Sequence, residues 1–236
     1  MMSELLILSI TAVSLGFVHT IVGPDHYVPF IAIAKARSWP NPKVMSIVSL
    51  CGLGHILSSV IIGMIGIALG ITISSLKMFE SSRGEIAGWL LISFGLIYII
   101  WGIKKSIKNK PHSHIHIHHD GIEHVHEHTH DENHLLIHTT EKQNITPWML
   151  FIIFAFGPCE PLIPLLMYPA ASQNYFAVAV VTIVFGVVTI ATMLAMTFLG
   201  LKGINLLPLH KLERHVHTFA GLAILICGIS IIFFGL

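Results

Sequence analysis

Charge is what this chain of 236 residues has least of: Asp, Glu, Lys and Arg together make up 11%, against a usual share of roughly 25%. A water-soluble domain of this size cannot cover its surface with so few charges, so an ordinary soluble enzyme is excluded and no catalytic residues are expected. The formal net charge is only +1, which leaves no basic surplus for a nucleic-acid partner. Cysteine is also scarce. Cys51, Cys159 and Cys227 each sit in an apolar stretch, which argues against a disulfide framework. The opening Met1-Met2-Ser3-Glu4 has no basic n-region. The first apolar stretch therefore reads as a retained span and not as a cleaved signal.

What is abundant is apolar. Hydrophobic residues are 54% and the mean hydropathy is +0.79, so the lipid bilayer is the solvent of most of the chain. A membrane helix needs about 20 apolar residues. Six stretches qualify, at 5–36 (interrupted), 43–75, 86–104, 147–171 (interrupted), 174–201 and 217–236. A polar segment splits them three and three. The expected organisation is a first three-helix repeat over 1–105, a His-rich loop over 106–146 and a second repeat over 147–236.

The halves resemble each other. Ala87, Gly88, Gly95, Ile99 and Gly102 match Ala220, Gly221, Gly228, Ile232 and Gly235 at a constant offset of 133. At an offset of 134, Gly23-Pro24 falls on Gly157-Pro158 and Gly52 on Gly186. Three spans per half means that the second half enters from the opposite side. The expected fold is therefore all-α, a polytopic membrane protein of six transmembrane helices in a 3+3 inverted repeat, with helices one and four broken at the Gly-Pro pairs.

Eleven Lys and Arg lie in the first, third and fifth connections and two, Lys77 and Arg83, in the others. By the positive-inside rule both termini lie outside a cytoplasmic (inner) membrane and the His-rich loop is cytoplasmic. Trp39, Trp89, Trp101 and Trp148 fall near expected span ends, as interfacial anchors do.

Of the 12 acids, only Asp25 and Glu160 fall inside the expected spans. Each follows a Gly-Pro, and Asp25-His26 is equivalent to Cys159-Glu160 in the repeat. Ionisable groups inside a membrane are costly and are functional candidates by default. A broken helix exposes carbonyls and N–H groups that can face an ion. His19, His26 and His55 join them, so the candidate metal set is His19, Asp25, His26, His55, Cys159 and Glu160. Imidazole suits Zn, Cu, Fe and Ni, and a carboxylate neutralises charge.

Histidine is the second excess, 17 against 13 Lys plus Arg. Eleven crowd the central loop: His112, His114, His116, His118, His119, His124, His126, His128, His130, His134 and His138. This composition collects metal at several weak sites. Asp120-Gly121 is a hairpin signal with strands near 112–119 and 122–129, but too few apolar residues accompany it to bury a core, which favours a disordered chain.

The residues His19-Thr-Ile-Val-Gly-Pro-Asp25-His26, Leu53-Gly54-His55 followed by Ser58-Ser59-Val60, and Gly157-Pro158-Cys159-Glu160-Pro161 resemble the nickel/cobalt transporter superfamily, which includes nickel/cobalt efflux and urease-accessory-type membrane proteins. The best-known uptake members carry His, four residues, Asp-His. Five residues intervene here, and the Gly-Pro-Asp-His form is similar to the urease-accessory branch. The resemblance implies a secondary transporter of Ni²⁺ or Co²⁺, with His19, Asp25, His26 and His55 as the matching metal residues and with export favoured over uptake. Zn²⁺ and Cu²⁺ also fit the ligand types. No permanently bound cofactor is expected, a proton is a candidate coupling ion, and a homo-oligomer is compatible with Gly63, Gly66 and Gly70.

Three other readings compete. A small-anion (sulfite-type) exporter would call for a buried cation, and no Lys or Arg falls within an expected span. A thiol–disulfide relay membrane protein would need paired cysteines, yet Cys159 maps onto Asp25, and the repeat does not make Cys51 or Cys227 its partner. A metal sensor or store would bind through the loop alone.

Overall fold

The computed structural model describes residues 2–108, 112–117, 123–128, 145–206 and 215–235. The helices are α1 (Met2–Val22), α2 (Val28–Ala36), α3 (Asn41–Ala68), α4 (Ile73–Lys108), α5 (Ile145–Phe156), α6 (Leu162–Ala171), α7 (Tyr175–Leu206) and α8 (Val216–Phe234), with a 3₁₀ turn at Pro24–His26 between α1 and α2. Five helices are long and apolar enough to cross a membrane: α1, α3, α4, α7 and α8. Large apolar side chains such as Leu6, Ile61, Ile97, Ile183 and Phe233 stay exposed, as suits a surface in contact with lipid.

Two departures from the expected spans matter. The fourth stretch is two short helices, α5 and α6, on either side of a break, and neither is long enough to cross alone. The third span starts at Ile73 and not at residue 86, so α4 runs 36 residues. It therefore takes in Lys77 and Arg83, which had been expected in a loop. The reason is local neutralisation: Glu80 and Arg83, three apart on one face of α4, form an ion pair, so the helix continues through residues that read as polar. Trp89 accordingly lies near the middle of α4 instead of at an end.

Packing is organised by glycines. A Cβ on Gly95 would lie 2.7 Å from the Leu225 nitrogen, and one on Gly228 would lie 2.8 Å from the Gly88 oxygen. The two backbones touch along antiparallel α4 and α8, which only a side-chain-free stripe permits. Gly52 faces Ile190 on α7, while Gly186 on α7 faces Ile56 on α3. α1 packs on α7 and α5 on α3. Two apolar cores result. One joins α2, α3, α4, α5, α7 and α8 around Phe30, Val48, Leu150 and Ile224. The other joins α1, α3, α6 and α7 around Ala12, Leu162, Leu166 and Phe185.

Outside the helices, 112–117 and 123–128 pair as two antiparallel strands, with His112 opposite His128 and His116 opposite His124. The two strands pair where a disordered chain had been favoured. Among the expected collector residues, His118, His119, His130, His134 and His138 lie outside the described residues.

Candidate metal centre

The first break is written in the sequence. α1 runs until the Gly23 N–H closes on the His19 carbonyl at 3.0 Å. Pro24 follows with no N–H to give, and the chain turns through a 3₁₀ segment closed by His26 N–H on the Gly23 carbonyl at 3.1 Å. Pro29, at the start of α2, then resumes the helix where an imide nitrogen costs no hydrogen bond. A side chain on Gly23 would displace the Asp25–His26 pair, since its Cβ would lie 2.7 Å from His26 Nδ1 and 2.8 Å from Asp25 Oδ1.

That turn brings three imidazoles together. His19 from α1, His26 from the turn and His55 from the middle of α3 each offer one ligand atom within 4.8 Å of the others. Ring centroids are 4.8 Å apart for His19–His26, 5.2 Å for His26–His55 and 6.5 Å for His19–His55. His26 and His55 are buried, each with 2% of its surface exposed.

The outer nitrogens are held. His26 Nδ1 lies 3.1 Å from the Gly23 carbonyl and 3.2 Å from Asp25 Oδ1. Both partners are acceptors, so Nδ1 carries the proton and donates it. His55 Nδ1–H likewise donates to the Phe154 carbonyl of α5 at 3.3 Å. These bonds leave the Nε2 atoms of His26 and His55 as lone-pair donors. Those two and Nε2 of His19 are buried without a hydrogen-bond partner. An orphaned buried polar atom is disfavoured, and a cation among three converging lone pairs is one arrangement that would satisfy all of them. Carboxylate–histidine pairing of the Asp25–His26 kind is a common outer support of metal-bound imidazole.

The second break is built differently. α5 ends at Phe156, the Gly157 N–H closes on the Phe154 carbonyl at 3.0 Å, and Pro158 interrupts the ladder. A Cβ on Gly157 would lie 3.1 Å from His55 Nδ1, so each break presses a glycine against a histidine ring. The backbone groups freed here are taken up by α4. Glu80 Oε2 accepts the Cys159 N–H at 3.0 Å and the Ser59 hydroxyl at 3.2 Å. Arg83 donates to the carbonyls of Ala155 at 2.9 Å and Gly157 at 3.4 Å, to Ser58 Oγ at 2.8 Å, to Ser59 Oγ at 3.1 Å and to Glu80. Glu80 has no exposed surface and Arg83 has 6%.

Of the six expected site residues, the structure thus gathers His19, His26 and His55, with Asp25 behind His26. Cys159 and Glu160 stand at the second break. Cys159 is fully buried among the apolar residues around Leu162 and Leu166, and Glu160 is exposed. The residues that sequence reasoning missed are Glu80 and Arg83. Their i,i+3 spacing with opposite charge was the available signal. The expectation that no Lys or Arg enters a span is corrected by Arg83, whose charge is matched by Glu80.

A sequence profile described as the cytochrome c biogenesis protein transmembrane region matches residues 29–230. No curated protein and no solved structure matches the chain. The match overturns the resemblance to the nickel/cobalt transporter superfamily. Gly157-Pro158-Cys159-Glu160-Pro161, one of the stretches read as carrying that resemblance, lies inside the matched region. A Gly-Pro interruption with a polar residue after it is a device for breaking a membrane helix, and it does not specify what the break handles. The match begins after His19, Asp25 and His26, so the first break lies outside it. By a match that takes in most of its length, this chain belongs to the family of cytochrome c biogenesis protein transmembrane regions.

Proposed function

We propose that this member of the family works on a divalent transition-metal ion held within the membrane by His19, His26 and His55. One observation carries the reading: three buried imidazole Nε2 atoms face one another with no hydrogen-bond partner. Three neutral imidazoles backed by a carboxylate suit a borderline cation such as Zn²⁺. Asp25 would fix the tautomer and orientation of His26 and offset part of the added charge. Passage of the ion across the bilayer is the use that a discontinuous helix beside the site supports. The inverted 3+3 plan is part of this reading. It is supported by antiparallel α4 and α8 and by the reciprocal contacts of Gly52 and Gly186. Cytoplasmic placement of the His-rich loop and external termini also belong to it, on the strength of the basic residues in the connections.

The family match supports a second reading, thiol–disulfide exchange in cytochrome c biogenesis, and of the two readings it backs this one over metal passage. Cys159, at the second break, would be its reacting group. The chain's own residues limit that chemistry. Cys51, Cys159 and Cys227 are all free thiols and all buried, whereas a relay needs an attacking thiolate and a partner sulfur.

One pair of variants separates the readings. The full chain in nanodiscs is titrated with Zn²⁺ against a chelator, and mixed-disulfide formation with a dithiol donor is followed in parallel. On the metal reading, the triple variant His19→Ala/His26→Ala/His55→Ala binds one equivalent fewer, and Cys159→Ser binds as the parent does. Unchanged stoichiometry in the triple variant, with mixed-disulfide capture lost in Cys159→Ser, would establish the thiol reading instead.

A further inference from the structure

The three imidazoles are not held by the same break. His19 and His26 flank the first, whereas His55 lies in the middle of α3 and its ring is fixed by the second, through the Phe154 carbonyl 3.3 Å from Nδ1. That carbonyl also accepts the Gly157 N–H at 3.0 Å. The last turn of α5 therefore sets the direction of the His55 ring. Arg83 grips that turn on either side of the acceptor. Its Nη2 donates to the Ala155 carbonyl, one residue after Phe154, at 2.9 Å and to the Gly157 carbonyl at 3.4 Å.

The same guanidinium reaches His55 by a second path. Nη2 donates to Ser58 Oγ at 2.8 Å, and the Ser58 hydroxyl donates in turn to the carbonyl of His55 itself at 2.8 Å. One planar group thus ties the backbone of His55 in α3 to the acceptor of its ring in α5. Its donors stand in a rigid fork, so the spacing between the two attachments is set by bond geometry and not by flexible packing alone. Glu80 pairs with Nη1. That pairing offsets the positive charge, which would otherwise repel a cation held by the imidazoles.

We propose that Arg83 is a positioning residue of the His19–His26–His55 centre: it sets where His55 Nε2 points, and so how tightly a divalent transition-metal ion is held there. The inference rests on the metal reading for the ion and on the hydrogen bonds of Arg83 and Ser58 for the geometry. Groups directly behind a metal-bound imidazole are worth about 10–100-fold in affinity. Arg83 stands one group further back, behind the Phe154 carbonyl and Ser58, so its effect belongs at the lower end of that range.

The test uses the full chain in nanodiscs with ¹⁵N-labelled histidine. The His55 ring signals are assigned by their loss in His55→Ala and are read first without metal. Arg83→Lys keeps a positive charge beside Glu80 but has no planar fork. In this variant the His55 signals should move toward a mixture of Nδ1–H and Nε2–H forms, while those of His19 and His26 stay in place. Zn²⁺ affinity should fall about tenfold at unchanged stoichiometry, and the visible absorption of Co²⁺ bound in place of Zn²⁺ should change. Leu166→Ala, in the other apolar core, should lower the thermal midpoint yet keep the parental His55 signals and Zn²⁺ affinity, which separates positioning from stability. Should Arg83→Lys fail to fold, Ser58→Ala cuts one of the two paths and must move the same His55 signals and weaken Zn²⁺ binding several-fold. Unmoved His55 signals in the folded variant, or an equal displacement in Leu166→Ala, would overturn the proposal. His55 signals that move in a chain binding no Zn²⁺ through its three histidines would instead remove the metal reading and leave Arg83 as the group that orients the ring.

Discussion

The two helix breaks share a Gly-Pro and a glycine pressed against a histidine, yet they settle their loose polar groups in opposite ways. At Gly157–Pro161, Glu80 and Arg83 reach across from α4 and take up the Cys159 N–H and the carbonyls of Ala155 and Gly157. At Gly23–Tyr27 no charged pair from another helix is present among the described residues. Backbone bonds close the turn, and beside it three imidazole nitrogens stand without a hydrogen-bond partner among the described residues. The second break is thus closed by residues of α4, and the first leaves three unpartnered imidazole nitrogens beside it, where the proposed ion would sit. One sequence device can serve as a fixed joint or as a site, and the neighbouring helix decides which.

The comparison is broken most forcefully at the joint. Arg83→Leu leaves Glu80 buried and charged and orphans two carbonyls. Removing one partner of a buried pair costs about 3–5 kcal/mol, so the thermal midpoint of the detergent-solubilised chain should fall steeply. The double variant Glu80→Leu/Arg83→Leu should regain only part of this, because the Cys159 N–H and the Ala155 carbonyl then lack partners. Full recovery would mean that the pair does not secure the break.

At the site, the largest effect is on binding. On the metal reading, His26→Ala removes one of three ligands and the link to Asp25, and Zn²⁺ affinity should drop about 100-fold or more, about 2.7 kcal/mol. Equilibrium dialysis of the full chain against a chelator reads it, and a change under threefold would detach His26 from the metal. Asp25→Asn is milder. It keeps the shape and an acceptor for the His26 Nδ1–H but removes the charge, and outer partners of this kind are worth about 10–100-fold in metal affinity. A loss near the lower end is expected, since the Gly23 carbonyl also holds that proton.

How much of this was legible beforehand can be traced residue by residue. Both breaks were readable, because proline has no N–H whatever surrounds it. The gathering of His19 with His26 and His55 was legible as a set, because imidazoles inside apolar helices are rare and a break next to two of them marks where chains converge. Glu80 and Arg83 were not legible, since a scan for apolar length stops where charge begins and cannot see that two opposite charges three residues apart cancel on one face. The length of α4 was lost for the same reason. The family was misread because the Gly-Pro-Cys-Glu-Pro stretch records how a helix is interrupted, and interruption is common to chemistries that differ in their cargo. The Cys159 N–H is held by Glu80 of α4, and nothing in the sequence around Cys159 and Glu160 foretold that one would be fully buried and the other exposed.

The smallest test compares the two break glycines directly. In Gly23→Ala the new methyl would sit 2.7 Å from His26 Nδ1 and 2.8 Å from Asp25 Oδ1, distances that real Cβ atoms do not tolerate, so the carboxylate–imidazole pair must swing away. In Gly157→Ala the nearest atoms are His55 Nδ1 and the Phe154 carbonyl, both at 3.1 Å, and a shift of a few tenths of an ångström suffices. Overpacking strain of about 1–3 kcal/mol is usual for buried insertions, and Gly157→Ala should lie at the low end, with a small drop in thermal midpoint and Zn²⁺ affinity within a few-fold of the parent. Gly23→Ala should lose more affinity than stability, because it displaces the ligand set while the helix on either side is already interrupted. If Gly157→Ala instead proved the more damaging to metal binding, His55 and the second break would be the part of the centre that sets its geometry, and the division between a fixed joint and an open site would have to be redrawn around α5.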